Sequence, residues 1–140
     1  MCWMLYGAVN REANPLDLAR IGKSDFYFRP GTLHDVKMSV QRADGSGRLR
    51  ESPCDCGFPL GCGNAKEPEL LALAEAIQSL RSVRGVKCVW FCMTWAGDQN
   101  DSEETIHIDD VDLPAFLAAA KTNCLYRIDL YRRHGAGGSN

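Results

Sequence analysis

Three cysteines, Cys54, Cys56 and Cys62, fall on one short loop that also holds Gly57, Pro59, Gly61 and Gly63. Thiols gathered this way can ligate zinc, form a redox pair, or simply pack against their own turn. Structural zinc takes four ligands, and the C-x-C-x5-C spacing supplies three. His34, at the edge of an earlier strand pattern, is the candidate for the fourth, with Cys2 a lesser one. Glycine on both sides of the thiols lets the backbone wrap an ion closely. The spacing is not the paired C-x2-C that marks a zinc module, so the metal, redox and purely local readings stay open.

Cys2 offers different chemistry. Removal of Met1 would leave a thiol beside its own α-amine, a nucleophile and base on one residue. Met1-Cys2 with Gly7 resembles the start of class II glutamine amidotransferases. That resemblance covers only the opening residues; the rest of the family's pattern is missing, and the chain is short for its amidase domain. It implies a thiol enzyme acting through Cys2, to which a loop cysteine is the alternative. The plain alternative is a small apolar residue opening a strand. Cys88, Cys92 and Cys124 lie in apolar strand patterns and read as core, because free cysteine packs as a small hydrophobe.

A second concentration of chemistry is acidic. Asp98, Asp101, Glu103, Glu104, Asp109, Asp110 and Asp112 follow one another with no lysine or arginine between them. The alternation from Asp98 to Glu104 is like the start of a calcium loop, but Glu103 occupies the place of the sharp-turn glycine and no bidentate glutamate follows. The expectation is therefore a solvated acidic surface. Asp98, Asp101, Glu103 and Glu104 are the candidates to dock a basic partner, since concentrated charge steers encounter and sets specificity. His107 falls on the polar side of a strand pattern, solvent-facing or hydrogen-bonded. Arg127, Arg132 and Arg133, near the last strand, could contact an anion, but isolated arginines on a polar face read as solvated cations. No Gly-x-Ser-x-Gly occurs, and Gly61-Cys62-Gly63 lacks the Lys-Ser/Thr of a phosphate loop.

The chain has 140 residues, 45% hydrophobic and 24% charged, with a net charge of −2. That fits one globular domain over residues 1–134, with 135–140 as a disordered tail. A balance this close to neutral gives no basic field for nucleic acid and no polybasic arm for a membrane. No apolar run reaches the length of a membrane span, and no leader pattern opens the chain. Seven cysteines, an odd number, without a leader predict a reducing cytoplasm.

The elements that must position these groups read as follows. Cys2 to Val9 is apolar on both faces, as in a covered strand. Asn14 caps a short helix with Pro15 at its first position. Asp25 to Arg29 is a short strand closed by Pro30-Gly31, and His34 to Arg42 alternates as a half-buried strand. Leu70, Leu73, Ala74, Ile77 and Leu80 mark a helix to Arg84, ended by Gly85 in a left-handed conformation. Val86 to Trp95 is two-sided and reads as the central strand. A polar loop, Ala96 to Glu103, precedes a short strand, Thr105 to Asp109, with Ile106 and Ile108 inward. Asp112 caps a helix bearing Leu113, Phe116, Leu117 and Ala120, which Asn123 closes. Cys124 to Arg132 is a last strand, one-sided through Cys124, Tyr126, Ile128 and Leu130. The order predicts an α/β or α+β single domain, a mixed sheet carrying two or three helices. The functional expectation is a small non-catalytic binding protein, immunity- or inhibitor-like by analogy of size and charge. Its expected partner is a protein, for which the acidic surface implies a basic face. The alternative is a zinc-stabilised domain.

Overall fold

Eight strands and three helices are assigned among residues 3–21, 26–31, 41–43, 49–51, 60–61, 66–95 and 100–131, which the computed structural model describes. They are β1 (Trp3–Asn10), α1 (Pro15–Ile21), β2 (Phe26–Tyr27), β3 (Arg29–Gly31), β4 (Gln41–Ala43), β5 (Leu49–Glu51), α2 (Glu67–Ser79), β6 (Cys88–Trp95), β7 (Ser102–His107), α3 (Leu113–Ala118) and β8 (Cys124–Asp129). One mixed sheet has the order β3-β1-β6-β8-β7; a smaller one has β2-β4-β5. The protein is α+β. No helix among the described residues is long and apolar enough to cross a membrane.

β6 is the interior strand its two-sided pattern predicts. It pairs antiparallel with β1 on one side and with β8 on the other. Val89, Phe91 and Met93 join the main core under α2 and α3, with Leu73, Ile77, Leu113 and Leu117. Cys88, Trp90 and Cys92 belong to a second cluster on the opposite face, with Ala8 and Leu125. Phe91 stacks on Tyr126 with ring centroids 5.1 Å apart, and Phe116 meets Tyr126 edge-on at 5.3 Å.

Local signals account for the helix ends. Asn14 Oδ1 accepts from the amides of Leu16 and Asp17, both at 3.0 Å, which satisfies two donors that α1 leaves free. α2 begins with Pro68 in its first turn and stops at Ser79; its last turn tightens to a 3-10 turn, Leu80–Ser82. Gly85 has the expected left-handed φ, 83°, but it turns the chain into β6 rather than ending α2. Asp112 stands at the N-cap of α3 without a side-chain cap; its carbonyl accepts from the Phe116 amide at 2.8 Å. Asn123 has a left-handed φ, 57°, but α3 already ends at Ala118, so Asn123 turns the chain into β8 rather than closing the helix.

Four expectations need correction. The strand predicted from Thr105 begins earlier, at Ser102, because Ser102 to His107 pair in parallel with Cys124 to Asp129. It also ends at His107, and Ile108 is buried in a 3-10 turn, Ile108–Asp110. β8 is not one-sided: Leu125 is 7% exposed and packs in the second cluster. The segment from Asp25 is two short strands that enter different sheets: β2 pairs with β4, and β3 with β1. The strand pattern of residues 34–40, the turn of 44–47 and the tail of 135–140 lie outside the described residues.

Candidate functional site: an acidic sheet edge

β7 is held in place from the residue before it. The Asp101 amide donates to the Asn123 carbonyl at 2.7 Å, and the Asn123 amide donates to the Met93 carbonyl at 2.8 Å. These bonds stitch the end of β6, the turn before β8 and the start of β7. The left-handed backbone of Asn123 lets the turn do this, and asparagine tolerates that conformation better than most residues. At its far end β7 is closed by His107, whose Nδ1 accepts from the Asp109 amide at 3.1 Å. His107 is thus hydrogen-bonded, and its Nε2 is buried without a hydrogen-bond partner among the described residues.

Among the described residues β7 is a terminal strand of the five-stranded sheet, with β8 on one side of it and no described strand on the other. Asp101 and Ser102 to Thr105 are exposed in succession. Residues opposite one another in register share a face. Glu104 lies opposite Tyr126 and so stands on the helix-covered face, whereas Glu103 lies opposite Leu125 and stands on the other. Two neighbouring carboxylates thereby flank the open edge from above and below, with Asp101 just before them. The polar loop read from the sequence is, at Glu103, a strand.

None of these three acids forms an ion pair among the described residues. By contrast, Asp17, Asp109 and Asp129 pair with Arg84, Arg81 and Arg127 at 2.9, 2.9 and 2.8 Å. Asp98 lies outside the described residues, so three of the four acids predicted to form a docking surface are placed together here.

The thiol and metal expectations divide differently. Cys2, His34, Cys54, Cys56 and Cys62 all lie outside the described residues, as do Arg132 and Arg133. Leu60 and Gly61, inside the cysteine loop, are described. Leu60 is buried in the main core, and a Cβ on Gly61 would meet the Thr122 amide nitrogen at 2.4 Å. Among the described residues no group of three or more His, Cys, Asp or Glu side chains is placed to hold a metal ion. Cys88, Cys92 and Cys124 are free and buried, as their patterns predict. Burial pushes the Cys92 thiol up to about 11, against a hydrogen bond with the Asn100 side chain; burial also raises Cys88.

The structure shows one feature that composition could not reveal. An open groove of about 360 Å³ is lined by Arg81, Val83, Arg84, Val86, Lys87 and Tyr131. Its two guanidinium groups are already engaged, Arg81 with Asp109 and Arg84 with Asp17. The Tyr131 hydroxyl donates to the Arg81 carbonyl. The signal that gathers these residues is the turn from α2 into β6, which no residue spacing announces. Arg127, read as a solvated cation, instead bonds Asp129 and lies over the Trp90 ring at 5.6 Å.

No protein-family profile, curated protein or solved structure matches this chain.

Proposed function

We propose that this chain is a non-catalytic binding protein that docks a basic macromolecular partner, most simply a protein, on the acidic edge of β7. The observation that carries this reading is the run of exposed residues from Asp101, just before the terminal strand β7, to Thr105 within it, with three acids unpaired among the described residues. Exposed carboxylates contribute little to folding. Placed together, they raise the encounter rate with an opposite charge and discriminate against like-charged surfaces. The described titratable groups fit this role better than catalysis: Cys88 and Cys92 are buried with raised pKa values, and Asp17, Asp109 and Asp129 are engaged by arginines.

The test replaces Asp98 and Asp101 by Asn and Glu103 and Glu104 by Gln. The melting temperature is expected to stay nearly unchanged. A basic partner isolated on the wild-type protein should associate more slowly with the variant, and the association should lose much of its salt dependence. A partner retained equally by both proteins would place the interface elsewhere.

A further inference from the structure

The docking reading leaves open how a partner would engage β7. We infer that it does so by strand addition: an extended basic segment pairs with the free edge of β7 as a sixth strand. This rests on the acidic-edge reading and goes beyond it, because it assigns the contact to the backbone and fixes a side-chain pattern.

Among the described residues the sheet has two terminal strands, and they differ. β3 is three residues long and contains Pro30, which has no amide proton to donate. β7 is six residues long and carries no proline, and its register with β8 runs unbroken from Ser102 to His107. A strand paired on one side presents unpaired amides and carbonyls on the other, which is a template for a further strand. The exposure of Ser102 to Thr105 leaves that template open.

The side chains then select the occupant. A second copy of this edge would set Glu103 and Glu104 against the same acids, and like charges directly opposite disfavour pairing. A segment with two consecutive basic residues would place one opposite each glutamate, one on either face. Two residues beyond Glu104 on the same face is Ile106, half-buried against the main core. An apolar residue opposite Ile106 would extend that core by one strand. The pattern is therefore basic-basic-any-apolar for a parallel addition and its reverse for an antiparallel one.

The test uses capped peptides carrying Lys-Arg-Thr-Val or Val-Thr-Arg-Lys within a serine- and threonine-rich frame. The expected result is that one of them binds and slows hydrogen exchange at β7 amides. N-methylation of its strand-facing amides should weaken binding by about tenfold or more, since it removes backbone bonds while keeping charge. E103Q/E104Q, checked by its melting temperature, should weaken binding of the unmodified peptide as well. If methylated and unmodified peptides bind alike, without slowed exchange in β7, strand addition is overturned while acidic docking stands. Strand addition is overturned in the same way if neither peptide binds yet a basic partner is still captured in a manner that E103Q/E104Q abolishes. If basic ligands bind the wild type and E103Q/E104Q equally, the docking reading fails, and strand addition fails with it.

Discussion

Asn10 donates through Nδ2 to the carbonyl of Gly85, 2.6 Å away across 75 residues of sequence. The same side chain accepts, through Oδ1, from the Lys87 amide at 2.7 Å. One buried amide therefore satisfies backbone groups on both sides of the turn that feeds β6. It also fixes where β1 ends relative to the central strand. A buried carbonyl or amide left without such a partner is costly, which is why a polar residue is kept at this position.

Gly85 cannot be replaced without moving this junction. Its φ is 83°, and a Cβ there would meet the Glu12 carbonyl oxygen at 2.0 Å. Gly85→Ala should destabilise the fold by more than about 2 kcal/mol, combining left-handed strain with a backbone clash. Urea denaturation measures this. A loss no larger than that of an ordinary surface substitution would show that the turn has room to shift.

Asp17 and Arg84 link α1 to the same turn, and their pair has a pH signature. The Arg84 guanidinium, then its backbone amide, hold the Asp17 carboxyl below the usual carboxylate range, against the opposing effect of burial. A folded pKa below the unfolded one stabilises the fold above the unfolded value; that contribution is lost as pH falls through the folded value. Asp17→Asn should therefore be less stable than wild type at pH 7, and the gap should close below about pH 4, near the unfolded aspartate value. Denaturation at pH 7, 5, 3 and 2 reads the gap. A constant difference would mean that shape rather than charge matters at this residue.

Phe91 and Trp90 sit on opposite faces of β6, both in packed clusters. Phe91→Ala and Trp90→Ala should each cost roughly 3–5 kcal/mol, the range for removing a large buried ring. Unchanged unfolding midpoints in both variants would contradict the central position of β6. A large effect at Phe91 alone would mean that the second cluster contributes little to folding.

The buried thiols should be silent in the folded protein. With Cys92 pushed up to about 11, only about one molecule in a thousand carries its thiolate at pH 8. Iodoacetamide at pH 8 should leave Cys88 and Cys92 unmodified in the native protein and label both in denaturant, as peptide mapping would show. Native labelling of Cys92 at the rate of a free thiol would indicate that this face opens readily.

The parts of the fold legible in the sequence are those governed by local rules. Asn14 before Pro15, the recurrence from Leu70 to Leu80, and the two-sided run in β6 state their structures directly, because caps and periodicities act within one or two turns. The start of β7 is hidden for a physical reason. Glutamate has low strand preference, so Glu103 reads as loop and Glu104 is left out of the strand; parallel pairing with β8, some twenty residues later, overrides that preference. The burial of Leu125 is equally invisible, since it depends on Trp90 and Ala8 facing the same side of the sheet. Of the site, the residue types are legible, but their location on a terminal strand is not. Strand order is set by distant partners.

The register that places Val9 opposite Val89 sets the timetable of assembly. On the ribosome β1 emerges first, and its antiparallel neighbour follows some eighty residues later. Neither β6 nor β8 is then present to complete the main sheet. Closing so long a loop is entropically slow, so Leu5, Ala8 and Val9 reach their buried places beside β6 only after a further eighty or so residues have been made.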